Sequence, residues 1–284
     1  MSVDYIEPMM DEAPVSREPA LRVLPGDLRV TSEAVVVEAP LQVSINGRAF
    51  AVTMRTPGAD RELVRGHLLT EDILGPTATW WTMDAPICDA AGRVRELNVR
   101  IPEVYLCDGV FDRRRLLTAA ACGMCGQREW QELPDDLEPL RTAAALDPAA
   151  LPGMFAAMRA RQGVFAATGG CHAAAAYAAD GTLLCLHEDV GRHNAVDKVA
   201  GHLALSGESA TALLVSGRVS FEIVLKAYRA GLPLLAAVSA PSSLAIETAT
   251  RLGITLLGFC RDDRATVYAG AEALITTLHG ASHV

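Results

Sequence analysis

The chain has 284 residues, of which 50% are hydrophobic, so it can bury a full core in one large domain or two smaller ones. Its formal net charge of −9 and pI near 5.3 argue against a broad surface for nucleic acid or anionic membrane. We therefore expect neither as a partner, and any phosphate site must be a local cluster of arginines or backbone N–H groups.

Residues 1–25 are predicted to be a flexible N-terminal tail. They begin with MSVDYIEPMMDEAPVSREP, which is acidic, contains prolines and lacks the basic and apolar regions of a signal peptide. No later apolar run reaches the roughly 18 residues of a membrane span. The 7 cysteines are odd in number and scattered, which is typical of thiols kept reduced in a cytoplasm. We therefore expect a cytoplasmic protein.

Residues 26–107 are predicted to form a β-rich N-terminal domain. Two apolar, alternating runs flank Asn46-Gly47, which is the strongest short-range signal for a hairpin. The segment PGADRELVRGHLLTEDIL has its leucines at roughly helical spacing, and GRVRELNVRI alternates again. This domain is thus expected to consist of strands with one covering helix.

Residues 108–150 are predicted to be a mobile linker. Charges, glycines and prolines are mixed there without a clean period, and the segment carries Cys122 and Cys125 in the motif ACGMCG. The alanine-rich stretch LLTAAA is also compatible with an ordinary helix, so regular structure over much of the segment stays an alternative.

Residues 151–284 are predicted to form a layered α/β domain. The stretch CHAAAAYAADGTLLCLHE predicts a hairpin that turns at Asp180-Gly181. Helical and strand-like stretches then alternate: RHNAVDKVAGHLAL, TALLVS, SFEIVLKAYRAG, LPLLAAVS, SSLAIETATRLG, ITLLGFC and a closing AEALITTLH. Alternation of strands and helices of this length favours parallel crossovers with helices packed on a sheet.

Two strand-to-helix junctions in this domain, LLVSGRVSFE and AAVSAPSSLA, have serine-bearing turns, and their helices would begin at Ser220 and Ser242. Helix N-termini set side by side at strand ends are a natural anion site, and Arg218 adds a cation. Simple capping of the helices is the alternative. The paired glycines of TGGCHAAA likewise have two interpretations, because glycines allow close approach of a ligand but also make ordinary tight turns.

The densest polar stretch of the domain is LHEDVGRHNAVDK, which places His193 and Asp197 one turn apart on one helical face. It lacks the HExxH spacing of a metal site, and its candidate ligands fall on both sides of a turn. We interpret it as a polar network that caps the helix or lines a ligand pocket. No metal ligands are predicted.

The cysteines of ACGMCG lie three positions apart, each followed by a glycine. A structural zinc site needs four ligands, and the chain has no second CxxC. A zinc deaminase would have a proline where Ala121 stands, and a thioredoxin-like motif would follow a buried strand, which DRRRLLTAAA is not. Nearby arginines and a helix start at QREWQEL would favour the thiolate, the reactive species in thiol–persulfide exchange. The remaining hypothesis is an exposed dithiol that handles sulfur.

Several long stretches, in order, resemble the FdhD family of formate dehydrogenase accessory sulfurtransferases. They are MRTPGADRELVRGHLLTEDIL, ACGMCG, TGGCHAAA, HEDVGRHNAVDKVAG and SGRVSFEIVLKAYRAGLPLLAAVSAPSSLAIETA, spread over about residues 35 to 270. The resemblance implies a cytoplasmic carrier that accepts sulfur from a cysteine desulfurase and passes it to the molybdenum bis(guanine dinucleotide) cofactor before that cofactor enters formate dehydrogenase. It also implies a homodimer and a C-terminal domain with a cytidine-deaminase-like α/β/α fold but without deaminase chemistry.

Carried over by position, the resemblance makes Cys122 the persulfide-bearing cysteine and Cys125 its partner. The cofactor-binding stretch of the family falls on FCRDDR, which comprises Phe259, Cys260, Arg261, Asp262, Asp263 and Arg264. Its arginines would meet phosphates. The two aspartates depart from the family, which usually has a glycine after the first arginine, and they bring acid beside a polyanionic ligand. Further candidates for lining the cofactor site are Ser216, Arg218, Ser239, Ser242 and His193.

Two hypotheses about function follow. In the first, the protein is a sulfurtransferase: Cys122 attacks a donor persulfide, holds the sulfur on a mobile loop and delivers it to a cofactor bound by the second domain. In the second, the protein is a cofactor-binding chaperone of formate dehydrogenase whose CxxC only mediates partner binding. Mo-bis(molybdopterin guanine dinucleotide) is the bound client in both, and no dedicated metal ion is expected.

Overall fold

The structure, a computed structural model, describes residues 13–75, 77–106, 110–111, 137–140, 146–272 and 274. Its strands form a two-stranded hairpin, a five-stranded sheet and a six-stranded sheet. Within these ranges no helix is both long and apolar enough to cross a membrane. Cys122 and Cys125 lie outside the described residues, so the predictions for this pair are not tested by the structure.

The described chain begins with an antiparallel hairpin of β1 (Val15–Leu24) and β2 (Asp27–Val36). The sequence analysis predicts a flexible tail for residues 1–25, but β1 pairs with β2 along its whole length, so the prediction does not hold for that strand. Valine favours extended chain and recurs on both strands. The turn contains Gly26 at φ +77°, a conformation that glycine adopts without strain.

The five-stranded sheet forms the N-terminal domain. Its strands are β3 (Ala39–Ile45), β4 (Arg48–Arg55), β5 (Thr82–Met83), β6 (Ile87–Cys88) and β7 (Val94–Arg100), in the order β4-β3-β7-β5 with β6 also pairing with β7. The predicted turn at Asn46-Gly47 is confirmed, with positive φ at both residues, as a type I′ hairpin requires. Helix α1 (Asp60–Thr70) covers the sheet and buries Leu63 and Leu68 in the core of this domain.

The six-stranded sheet forms the C-terminal domain. Its strands are β8 (His172–Tyr177), β9 (Leu183–Asp189), β10 (Ala212–Val215), β11 (Leu234–Ala237), β12 (Thr255–Arg261) and β13 (Arg264–Ala269). The helices are α2 (Leu151–Ala160), α3 (Gly163–Thr168), α4 (Arg192–Ser206), α5 (Phe221–Arg229) and α6 (Ser243–Leu252). The strand order is β13-β12-β11-β10-β8-β9, and the central β10, β11 and β12 are parallel.

This sheet is buried on both faces. Along β8, Ala174 and Ala176 join the core with α4, α5 and α6, whereas Ala173, Ala175 and Tyr177 join a second core with α2. Alternation of side chains along a strand makes this division, and the small alanines let the helices pack closely. The predicted fold class, a β-rich N-terminal domain with a layered α/β/α C-terminal domain, is confirmed. Helices α2 and α3 are not anticipated by the sequence analysis.

Parts of the predicted linker are described and pack on the domains. A 3-10 helix at Glu103–Tyr105 lies just before the predicted linker, and a second at Pro148–Ala150 ends it. Val110 is buried in the N-terminal core and Leu146 in the α2-side core, and the Leu140 N–H donates to the carbonyl of Leu252. These segments are therefore tied to the two domains at several points.

The two domains meet where α1 crosses α4. Gly66 and Gly201 lie at the crossing: a Cβ atom on Gly66 would lie 1.7 Å from the carbonyl oxygen of Asp197, and one on Gly201 would lie 1.8 Å from that of Glu62. Both distances are far shorter than any real contact of a Cβ atom. Glycine at these two positions therefore permits the close approach of the helices.

Candidate functional site

A cavity of about 1320 Å³ lies between α2, the β12–β13 hairpin and the loop that joins α3 to β8. Its apolar wall includes Phe155 and Met158 from α2 and Leu257 and Val267 from the hairpin. Its polar groups come from the turn between β12 and β13, from the ends of β8 and β10, and from α2 and the turn after it. Ligand sites are usually concave and mostly apolar with a few orienting polar groups, and volumes of ~300–1000 Å³ are typical for drug-sized ligands. This cavity is large enough for a bigger ligand.

The predicted cofactor-binding stretch forms the turn between β12 and β13 at this cavity. All its residues except Phe259 line the cavity. Asp262 and Asp263 make the turn, with Asp262 at φ +55°, and the flanking Arg261 and Arg264 are cross-strand partners. The Nε of Arg261 donates a hydrogen bond to the carbonyl of Val238 at 3.0 Å. The turn thus presents two neighbouring guanidinium groups and two carboxylates beside the cavity.

Ser216 and His172 line the cavity at the ends of β10 and β8. The Ser216 hydroxyl accepts a hydrogen bond from the Ala173 N–H at 2.9 Å, which fixes its position. Burial, together with the positive charge of Arg192, lowers the pKa of His172. The imidazole is therefore neutral at neutral pH and can both donate and accept a hydrogen bond.

Two cysteines line the cavity, and both are protonated thiols at neutral pH. Cys171 lies 3.3 Å from a carboxylate oxygen of Glu188, and burial together with this charge raises the pKa of Cys171 to about 12. Burial raises the pKa of Cys260 to about 11. The thiolate is the nucleophile in sulfur exchange, so both thiols are poor sulfur acceptors. The described cavity walls offer a binding site rather than a nucleophile.

Four of the predicted lining residues lie outside the cavity wall. The Ser242 hydroxyl accepts a hydrogen bond from the backbone N–H of the third residue of α6. Ser242 therefore caps this helix, which is the alternative role given above. The Nε2 of His193 lies 3.1 Å from Glu222. Ser239 and Arg218 are likewise absent from the cavity lining. Of the five candidates from the strand-to-helix region, the structure brings only Ser216 to the cavity.

The polar stretch LHEDVGRHNAVDK lies mainly at the junction of the two domains. Asp189 accepts a hydrogen bond from the Thr56 N–H at 3.1 Å and lies 2.8 Å from Nζ of Lys198. Asp197 lies 2.8 Å from Nζ of Lys226. These charged groups are buried, and each has an opposite charge beside it. The stretch is a polar network, as interpreted from the sequence, but these residues connect domains rather than line a pocket.

Sequence reasoning missed three polar cavity residues, Arg159, Gln162 and His172. The first two belong to α2 and the turn after it, a helix that the sequence analysis does not anticipate. His172 lies within TGGCHAAA, which is singled out only for its glycines. A histidine at the first position of an apolar strand, directly after a glycine-rich turn, was the available signal.

The fold and the cavity define the chain as a two-domain α/β protein with one large, partly polar cavity as its candidate site. The profile of the FdhD/NarQ family matches residues 36–275. The chain belongs to this family, so the resemblance inferred from its motifs is confirmed.

Named relatives match almost the whole chain. A sulfur carrier protein FdhD from Mycolicibacterium paratuberculosis is 42% identical over 277 residues, which cover 91% of this chain and 98% of the relative. One from Nocardia farcinica is 42% identical over 271 residues, with coverage of 91% and 94%. A crystal structure from Desulfotalea psychrophila, assigned as a formate dehydrogenase accessory protein, has a TM-score of 0.71 and 23% identity over 92% of this chain and all of the other. That last similarity shows the fold alone.

Proposed function

We propose that this protein is a sulfurtransferase that accepts sulfur from a cysteine desulfurase as a persulfide on Cys122. It passes the sulfur to Mo-bis(molybdopterin guanine dinucleotide), which then enters formate dehydrogenase. One observation carries the proposal: relatives that match 91% of the chain at 42% and 41% identity are named sulfur carrier proteins. The matched family region, residues 36–275, includes the CxxC pair.

The two cysteines together account for the chemistry. The Cys122 thiolate attacks the terminal sulfur of the donor persulfide, so one S–S bond forms, one breaks, and the donor leaves as a thiolate. Release as sulfide needs two electrons. Cys125 supplies them by attacking Sγ of Cys122, which expels hydrosulfide toward the cofactor and leaves a Cys122–Cys125 disulfide. A cellular dithiol reductant then restores the pair.

The cavity beside α2 is the proposed site for the guanine dinucleotide cargo. Arg261 and Arg264 offer charge-assisted hydrogen bonds to its diphosphate groups. Guanine carries an amino group, and a carboxylate of Asp262 or Asp263 can accept a hydrogen bond from it. In this arrangement the two acids recognise the base while the arginines bind phosphate. The apolar wall of α2 supports the rings.

We also propose that the protein works in the cytoplasm as a homodimer. The family resemblance supports both points. One face of the β1–β2 hairpin bears Leu21, Val23, Leu28 and Val30, of which Val23 is 76% and Val30 87% exposed. An exposed apolar patch of this kind is typical of an association surface. The second copy of the chain is its proposed partner.

The sulfur-transfer step is tested with a cysteine desulfurase and isotopically labelled cysteine. We expect the wild-type protein to gain one sulfur atom, located on Cys122 by mass spectrometry, and Cys122→Ala to gain none. Cys88→Ala is the matched control, because Cys88 is an exposed thiol of the N-terminal domain. Undiminished labelling of Cys122→Ala would contradict the assignment.

The same experiment can be extended to the chaperone hypothesis. The cavity, with its arginine-bearing turn, supports cofactor binding under both hypotheses, and cofactor binding alone would suffice for a chaperone. Under that hypothesis a Cys122→Ala, Cys125→Ala variant brings formate dehydrogenase to full activity, whereas Arg261→Ala, Arg264→Ala does not. Our proposal expects both variants to leave formate dehydrogenase inactive.

A further inference from the structure

Three metal-ligating side chains meet on the face of the C-terminal sheet that lies away from the cavity. Cys185 and His187 are two positions apart on β9, so their side chains share one face of the edge strand. His202 reaches them from the last turns of α4. One candidate ligand atom from each residue lies within 4.8 Å of the other two.

A nitrogen atom of His187 supplies independent support for a ligand at this cluster. Its Nε2 atom is buried, yet no hydrogen-bond partner for it is found among the described residues. A buried polar nitrogen without a partner is energetically costly. The rings of His187 and His202 lie 5.6 Å apart, measured between their centroids. A cation in the cluster would satisfy this nitrogen.

Glu208 completes the surroundings of the cluster. Its carboxylate lies 3.2 Å from Nε2 of His202, which leaves Nδ1 of this ring as the nitrogen for a cation. A carboxylate that holds a histidine is the usual outer partner of a metal ligand, because it orients the ring and raises its basicity. The side chains of His202 and Glu208 are 31% and 43% exposed, so an ion can enter from solvent.

We propose that Cys185, His187 and His202 form a site for Zn²⁺ or a similar thiophilic divalent cation, with Glu208 as the outer carboxylate. One thiolate and two imidazoles are ligands that zinc prefers, and three protein ligands leave a fourth position for water. Ligand atoms that lie within 4.8 Å of one another can reach metal–ligand distances of about 2.0–2.3 Å by small rotations about side-chain bonds. Binding displaces the proton of the buried Cys185 thiol.

This site is independent of the proposed sulfur transfer. Cys185 belongs to the core with α4, α5 and α6, whereas the cavity lies on the α2 side of the same sheet. The proposal departs from the sequence analysis, which predicts no metal ligands. From the sequence, His187 was considered only with the other polar residues of LHEDVGRHNAVDK. The other two ligands, Cys185 and His202, lie outside that stretch. Only the packing of α4 on β9 brings the three residues together.

The experiment uses the full chain with Cys122→Ala and Cys125→Ala, so that the CxxC pair cannot bind metal. After treatment with a chelator, the protein is titrated with Co²⁺ alone and then with Zn²⁺. We expect one cobalt per chain with a sulfur-to-cobalt charge-transfer band, displacement by zinc, and a raised melting temperature with zinc. Cys185→Ser should lose the band, and Glu208→Gln should bind zinc about 10–100-fold more weakly.

Two controls keep the result interpretable. Cys260→Ser removes another buried thiol on the opposite side of the sheet and should leave the cobalt spectrum unchanged. His202→Gln changes a partly exposed side chain, so the variant should fold, as circular dichroism checks, and still lose zinc-dependent stabilisation. Absence of metal binding, or a cobalt band that persists in Cys185→Ser, would overturn the proposal. The sulfur-transfer assay is unaffected by either outcome.

Discussion

Lys226 of α5 is buried beside Asp197 of α4 at the junction of the two domains. Its Nζ atom lies 2.8 Å from Asp197, and it also donates a hydrogen bond to the Thr70 hydroxyl at the end of α1. Burial by itself would raise the pKa of Asp197, but Lys226 and His67 outweigh this and lower the pKa below 3.8. At neutral pH Asp197 is therefore ionised, and Lys226 is its nearest basic partner.

At the residue scale, removing one partner of this pair should be strongly destabilising. We expect Asp197→Asn to lower the free energy of unfolding by about 3 kcal/mol, because Lys226 loses its nearest carboxylate and keeps only the partly exposed Glu71, at 3.5 Å, as a counter-charge. Urea denaturation measures the change. The double variant Asp197→Asn, Lys226→Met is the control and should recover part of the loss. Equal stability of the single variant and the wild type would contradict the role assigned to the pair.

The same pair predicts a pH dependence. The pKa of Asp197 is lower in the folded than in the unfolded chain, so its contribution is fully present above the unfolded value and is lost as pH falls below it. We expect the difference in unfolding free energy between wild type and Asp197→Asn to be large at pH 7. It should shrink as the pH falls below about 4.

At the scale of elements, the crossing of α1 and α4 depends on Gly66 and Gly201. We expect Gly66→Ala to destabilise the protein by about 3 kcal/mol or more, since the new methyl group would overlap the backbone of α4. The matched control is Gly153→Ala in α2, where a Cβ atom meets nothing within 4 Å. That variant should be neutral or slightly stabilising, because alanine favours a helix. Similar denaturation midpoints for both variants would show that the helices can separate without cost.

At the scale of the whole molecule, the β1–β2 hairpin is the most exposed apolar element among the described residues. Its paired register puts Leu21 opposite Val30 and Val23 opposite Leu28 on one face. Association through this face would remove these apolar side chains from water.

We expect Val30→Arg to shift the proposed dimer toward monomer in sedimentation experiments over a range of protein concentrations. Thr31→Arg is the control, because residue 31 points to the opposite face of the same strand. A wild-type protein that is monomeric throughout, or a Val30→Arg variant that dimerises as well as the wild type, would contradict this surface.

Much of the fold can be read from local sequence. The Asn46-Gly47 and Asp180-Gly181 hairpins, helix α4 and the alternation from β10 to β12 were all predicted, because turn chemistry and hydrophobic period act over a few residues. Helices α2 and α3 were missed. Pro152 and Gly153 at the start of α2, and Gly163 at the start of α3, weaken the local helix signal. Helix α2 depends on the burial of its apolar residues against the sheet, and α3 on Glu188, which accepts hydrogen bonds from its first turn.

The sequence by itself determined the family, the CxxC pair and the FCRDDR stretch, because each is a contiguous run whose chemistry is carried by residue type and order. Only the tertiary structure decided that FCRDDR is a hairpin turn facing a cavity, that Ser216 joins it, and that Ser242 and His193 do not. It also showed that Cys185 and His187 lie close to His202. Such contacts depend on how helices pack against a sheet. This packing places residues that are far apart in the chain next to each other, so no local sequence pattern predicts it.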